Sequence, residues 1–160
     1  MTKIIVGMAD LKVERAPAML TTLGLGSCVG IALYDPASKV AGLAHIMLPD
    51  STKMQNNQNL AKFADTAMVK MIQDMAAKGA NKTRLRAKIA GGAQMFAFNS
   101  KNDDMRIGDR NVEATLRLLK QYSIPLVAYE VGANYGRTVE LYADDGRFLI
   151  KTIGHGNREL

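Results

Sequence analysis

Cysteine occurs once in these 160 residues, as Cys28, and histidine only twice, as His45 and His155. A single thiol can make no intramolecular disulfide and, by itself, no thiolate zinc site. It fits a reducing compartment in which Cys28 stays a thiol. With two histidines, chemistry that needs a base titrating near neutrality has few candidates. No apolar run approaches the roughly 20 residues that span a bilayer. The opening Met1-Thr2-Lys3-Ile4-Ile5-Val6-Gly7 starts directly on an apolar, strand-like run. It lacks the long h-region and small-residue cleavage site of a signal peptide. These absences predict a cytoplasmic chain that does not insert into a membrane.

What is present is an ordinary globular mix, 48% hydrophobic and 22% charged, which argues against disorder. The length suits one domain over residues 1–160 with a substantial core. The formal charge is +6. Nucleic-acid binding would want that charge clustered, with aromatics between. The densest patch, Lys82-Thr83-Arg84-Leu85-Arg86-Ala87-Lys88, instead alternates. As a strand it would set its four cations on one face and turn Leu85 and Ala87 inward. That is the pattern of a solvated sheet face or guarded edge, and nucleic acid is not expected as a partner.

Two helices are legible. From Leu60 to Lys78, Phe63, Ala64, Ala67, Met68, Met71, Ile72 and Met75 recur at three- and four-residue steps. Asn57 or Asn59 can cap the start, and Gly79 fits a left-handed stop. A second helix is predicted from about Arg110 to Tyr122, with Asp109 as cap and Val112, Leu116 and Leu119 on its buried stripe. Strands are predicted over Lys3–Met8, Met19–Leu25, Val29–Tyr34, Val40–Met47, Leu85–Ala90, Leu126–Val131, Arg137–Tyr142 and Phe148–Ile153. Asp145-Gly146 and Asp35-Pro36-Ala37-Ser38 read as hairpin turns. Hairpins mixed with two helices predict a single-domain α/β (α+β) sandwich of largely antiparallel sheets. The polar segment Ser51 to Asn59 connects strand to helix, or gates a site near His45.

The glycines of Thr21-Thr22-Leu23-Gly24-Leu25-Gly26-Ser27-Cys28-Val29-Gly30 invite a phosphate-loop reading, which fails. The dinucleotide pattern needs glycine at Val29, and the P-loop pattern lacks its Lys-Ser/Thr. Ile31-Ala32-Leu33-Tyr34 then reads as a strand, where both motifs require a helix. Gly26-Ser27-Cys28-Val29-Gly30 better fits a turn that presents a nucleophile between glycines, which permit unusual backbone angles and close approach. Backbone donors at Gly26, Ser27 and Cys28 could stabilise an oxyanion there. A lone cysteine among apolar residues also fits a small core residue.

His45 lies in an apolar strand. If residues 29–34 and 40–47 form a hairpin about Asp35–Ser38, the chain returns His45 to the neighbourhood of Cys28. Cysteine and histidine together are the minimum for a thiol nucleophile. Thr22, Asp35 and Asp50 are candidates for a third, orienting group, and spacing does not choose among them. His155, near a polar terminus, reads as solvent-exposed. Gly91-Gly92, after a strand, marks either a sharp turn or the wall of a substrate cleft.

The segments TLGLGSCVGIALYDP, GLAHIMLPDS, KFADTAM, AKIAGGAQMF and IGDRNVEAT, in that order, resemble the CheD family of chemoreceptor glutamine deamidases. The likeness extends from about Gly7 to Ile153. It implies an α/β fold with a papain-like arrangement of catalytic groups, related to bacterial toxin deamidases. It implies hydrolysis of glutamine side chains on the cytoplasmic domains of chemoreceptors, giving glutamate and ammonia. The family's cysteine, histidine and threonine match Cys28, His45 and Thr22, and its members need no metal or organic cofactor. Some members also bind the CheC phosphatase, so the resemblance carries a rival reading: a non-enzymatic regulator of that phosphatase and of receptors. A generic thiol hydrolase of small amides is a third. Two departures stand out: Phe63 where the family commonly has tyrosine, and an amide-rich Met54–Asn59 loop.

Overall fold

The computed structural model describes residues 1–95 and 106–160, so Phe96, the last residue of the AKIAGGAQMF segment, lies outside them. In chain order the elements are β1 (Thr2–Ile5), β2 (Leu11–Arg15), β3 (Ala18–Leu25), β4 (Val29–Asp35), β5 (Val40–Ile46), α1 (Ala64–Ala77), β6 (Arg86–Gly91), α2 (Ile107–Gln121), β7 (Leu126–Val131), β8 (Arg137–Tyr142), β9 (Phe148–Thr152) and β10 (Gly156–Glu159). They form two five-stranded sheets, ordered β1-β3-β8-β9-β10 and β2-β5-β4-β6-β7. Two pairs are parallel, β1 with β3 and β6 with β7. The other pairs are antiparallel. The expected mixed, largely antiparallel α/β sandwich with two main helices is therefore present.

The second sheet is the middle layer, because its strands are apolar on both faces. On β4 and β5, Ile31, Leu33, Val40, Ala44 and Ile46 pack with Ala67, Met68, Met71 and Met75 of α1 and Leu118 of α2. The alternate residues Ala32, Ala41 and Leu43 face Leu20, Val139, Leu141, Phe148 and Ile150 of the first sheet. Side chains two apart along a strand share a face. His45 is thus on the face of β5 that meets the first sheet, with Ala41 and Leu43. Thr22 is on the same face of β3 as Leu20, looking back. The residue pattern of two strands aims both side chains into one seam.

The hairpin about Asp35 is formed. β4 and β5 pair from Val29↔Ile46 through Gly30↔His45 to Asp35↔Val40. The fully buried Asp35 carboxylate accepts from Ala37 N–H (3.0 Å), Asn81 N–H (2.9 Å), Arg84 Nε (3.0 Å) and Arg84 Nη2 (2.8 Å). Burial alone would raise its pKa; these donors outweigh burial and hold it well below the ordinary carboxylate range. Asp35 is therefore a turn anchor, and it is excluded as the orienting group.

Several elements differ from expectation. Leu60–Lys62 is a separate turn of 3₁₀ helix, capped by Asn59, and α1 starts at Ala64. Phe63 between them is extended and fully buried, bridged in parallel to Leu48. That tertiary pairing overrides helical continuation, and it makes the Phe63 ring a packing element. Gly79 (φ 104°) ends α1 as expected, with Ala80 N–H returning to Met75 O at 3.0 Å. α2 begins at Ile107, and Asp109 sits in its first turn instead of capping it. Leu116 of the expected stripe is exposed, whereas Gly108, Asn111, Thr115 and Leu118 are buried. The basic patch is not one strand face: Lys82–Arg84 is a 3₁₀ turn. Arg84 is committed to Asp35, and Lys88 donates to Gly146 O (3.0 Å) and Leu160 O (2.7 Å).

Candidate functional site

β3 carries one extra residue against β8: Thr22 pairs with Val139 and Leu25 with Arg137. Gly24 within the bulge has φ 69°, a left-handed angle that suits glycine. The bulge bends the chain out of the ladder and into the Gly26–Cys28 bend that leads to β4. Gly26 and Gly30 themselves are not in the left-handed region, so they are not there for backbone freedom. Their surroundings are close-packed instead. A Cβ on Gly26 would lie 3.1 Å from Met95 Cγ, and one on Gly30 would lie 3.0 Å from Leu25 Cδ1. The G-x-nucleophile-x-G resemblance is thus one of spacing, and the conformational work falls to Gly24.

Gly91 and Gly92, with φ 112° and 65°, close over this bend. Gly92 N–H donates to Cys28 O and Ala93 N–H to Gly26 O, each at 2.8 Å. A side chain on Gly91 would collide with the Cys28 carbonyl, and one on Gly92 with Val112. The pair forms a clasp around the cysteine bend. Arg137, buried in the first sheet, braces the clasp by donating to Gly132 O (3.0 Å) and Gly91 O (3.4 Å), and pairs with Glu130 at 2.7 Å.

Thr22 Oγ1 lies 2.7 Å from Val6 O and 2.7 Å from His45 Nδ1. A carbonyl oxygen only accepts, so the threonine proton goes to Val6. The same oxygen must then accept from His45, which places the imidazole proton on Nδ1. Nε2 is left as a bare lone pair, and it is buried without a hydrogen-bond partner among the described residues. Thr22 is fully buried and His45 nearly so. The His45 backbone is held too: its N–H donates to Asp10 O and its carbonyl accepts from Ala9 N–H, each at 3.0 Å.

Cys28 is 7% exposed, so only a narrow part of it meets solvent. It immediately precedes Val29, whose partner across the hairpin is Ile46, next to His45. It belongs to the apolar cluster between the sheets, the seam into which His45 projects. Burial raises the thiol pKa above its ordinary 9.0, partly offset by the residue's own amide. Burial likewise lowers His45 below its ordinary 6.5. Both shifts favour the neutral forms.

The other candidates are placed elsewhere. Asp50 accepts from Thr52 N–H (2.9 Å) and caps the Ser51–Lys53 turn. His155 is exposed in the β9–β10 turn, stacked on Tyr135 with ring centroids 4.0 Å apart. Gly26 N–H is spent on Gly24 O at 3.0 Å, which removes it as an oxyanion donor. Among the described residues no group of three or more His, Cys, Asp or Glu side chains could hold a metal ion. Sequence reading missed Asn111, whose Nδ2 donates to Ser27 O (3.0 Å) and Met47 O (2.9 Å). Its signal was available: asparagine is a poor residue for a helix interior, and this one falls on the face of Gly108 and Thr115.

Residues 47–152 match the family model described as CheD chemotactic sensory transduction. The chain is 60% identical over 151 residues to a "Probable chemoreceptor glutamine deamidase CheD" of Caldanaerobacter subterraneus subsp. tengcongensis, covering 94% of this chain and 93% of that protein. It is 51% identical over 156 residues to the "Chemoreceptor glutamine deamidase CheD" of Halalkalibacterium halodurans, covering 97% and 96%. Among solved structures, a Neisseria meningitidis protein of family DUF152 is similar at a TM-score of 0.48 and 11% identity, over 84% of this chain and 64% of that one. The family match begins at residue 47, after Thr22, Cys28 and His45. From the extent of the match and the identity to full-length relatives, this chain belongs to the CheD family.

Proposed function

We propose that this chain is a chemoreceptor glutamine deamidase, a single-domain amidohydrolase in which Cys28 is the nucleophile, His45 the acid–base and Thr22 the group that orients His45. The observation that carries the chemistry is the Val6–Thr22–His45 relay, which fixes the tautomer and leaves the Nε2 lone pair unpartnered among the described residues, on a residue whose partner across the hairpin, Gly30, is two positions from Cys28. The arrangement is papain-like in its roles, with threonine where a stronger orienting partner would be expected. The substrate class comes from the relatives' names.

As the Cys28 sulfur bonds to the amide carbon of a glutamine side chain, the thiol proton passes to His45 Nε2. The amides of Ser27 and Cys28 are the donors the bend offers to the tetrahedral oxyanion. The imidazolium returns its proton to the amide nitrogen, the C–N bond breaks and ammonia leaves, giving a thioester. Water then attacks the thioester while His45 accepts its proton. The C–S bond breaks, glutamate is released and the thiol is restored. Thr22 Oγ1 accepts from Nδ1–H throughout, and stabilises the transient imidazolium. No step calls for a metal or organic cofactor. The reaction is proposed to take place in the cytoplasm, and the CheC phosphatase remains a candidate second partner through the family resemblance.

The test is a receptor cytoplasmic fragment and, separately, free glutamine, each incubated with the protein and read by mass spectrometry and ammonia release. Conversion at particular receptor glutamines, with free glutamine untouched, is the expected result. Equal hydrolysis of both would make the protein a general amidase. A fragment bound but unconverted would make it a binding module.

A further inference from the structure

We infer that Asn111 is a positioning residue for this site, holding the nucleophile's bend and the histidine's strand at a fixed separation. The inference rests on the deamidase reading above. Asn111 is fully buried on α2. Its two Nδ2 protons go to two different segments: one to the carbonyl of Ser27, immediately before Cys28, the other to that of Met47, two residues beyond His45. One side chain therefore bridges the two loose ends of the hairpin, where the β4–β5 ladder has already stopped at Val29↔Ile46.

The rest of α2 is built to bring that amide in. Gly108, one turn earlier, lets the helix reach the glycine clasp: a Cβ there would lie 2.5 Å from Ala93 O and 2.6 Å from Gly92 O. Thr115, one turn later, ties its hydroxyl to Asn111 O at 2.8 Å, keeping the hydrogen bond within the helix. The amide is an expensive way to fill the space. Its Oδ1 is buried without a partner among the described residues, and an orphaned buried acceptor destabilises. A residue chosen for packing alone would be apolar. A fixed Cys–His geometry is a reason to retain it, because small misplacements of reacting groups are costly in rate.

The experiment compares wild type, Asn111→Ala, His45→Ala and Leu118→Ala, a core truncation on the same helix, with Asn111→Ser in reserve should Asn111→Ala not fold. Two readings are taken: deamidation kinetics on the receptor fragment, and the pH profile of iodoacetamide alkylation of Cys28, the only cysteine. Asn111→Ala is expected to lower kcat by about 100-fold with KM little changed. Its alkylation profile should lose the inflection that wild type owes to His45 and approach that of His45→Ala. Leu118→Ala is expected to lower thermal stability yet keep wild-type kcat and profile. An Asn111 variant that keeps wild-type kcat and profile, and loses only stability, overturns the inference; so does failure of both Asn111 variants to fold. Alkylation needs no substrate, so a wild type that does not deamidate while the profiles still diverge would fault the substrate reading and leave the positioning role standing.

Discussion

At Thr22 one hydroxyl proton decides the state of the site. Given to the Val6 carbonyl, it obliges His45 to protonate on Nδ1 and keep Nε2 bare. Thr22→Ala should therefore leave the fold intact and lower kcat by about 10- to 100-fold, the value of one buried hydrogen bond to a group that becomes charged. Thr22→Ser should restore most of it, which steady-state kinetics on a receptor fragment would check. His45→Ala, which removes the acid–base itself, should cost about 100- to 10,000-fold in the same assay. The pH profile follows from burial. His45 must be unprotonated to act, and its pKa lies below the ordinary 6.5. Falling pH protonates it and removes the base, so kcat/KM should decline with an acid midpoint under 6.5. The thiol, pushed above 9.0, adds no ionisation near neutrality, so the profile should be flat from there to mildly alkaline pH. A midpoint above 6.5 would mean a resting thiolate–imidazolium pair.

At the scale of elements, the hairpin and the clasp carry the site. Asp35 anchors the far end of the hairpin, and its folded pKa lies below the 3.8 of an ordinary aspartate. A lowered folded pKa contributes stability that is complete above the unfolded value and lost as pH falls through the folded one. Asp35→Asn should therefore lower unfolding free energy at pH 7 by about 2 kcal/mol, discounted because Arg84 is partly in water. It should also flatten the loss of stability in acid, as urea unfolding at several pH values would show. Gly91→Ala combines a left-handed φ with a collision against the Cys28 carbonyl. It should cost about 2 kcal/mol or more and depress activity together with stability. The hairpin was legible because Asp35-Pro36 and two apolar runs state it locally. The clasp was only half legible: two glycines mark a tight place, but not what presses on them. β2 and β10 were missed because edge strands, wet on one side, are written with charged and polar residues such as Lys12, Glu14, Asn157 and Arg158. The start of α1 was misplaced because Phe63 pairs with Leu48, a contact that no local periodicity encodes.

For the whole molecule, the proposed site lies where three layers meet at one seam. Thr22 arrives from one sheet, His45 from the other, and α2 closes the end through Asn111 and Gly108. That the chain returns His45 toward Cys28 could be read from the hairpin, since the segment between them is short and folds back on itself, pairing Gly30 with His45. The contact of Thr22, and not Asp35 or Asp50, with His45 could not be read from spacing, because it depends on which face of β3 looks across the seam; the family resemblance pointed to Thr22. Asn111 was invisible for the same reason, since its partners lie 84 and 64 residues away in sequence. The measurement that bears most directly on this assembly is mass spectrometry of a receptor cytoplasmic fragment after incubation with wild-type protein or Cys28→Ala, with binding measured in parallel. Conversion of particular glutamines to glutamate by wild type alone, with both proteins binding the fragment, is the predicted result. Near-normal conversion by Cys28→Ala would contradict it and remove the cysteine from the chemistry.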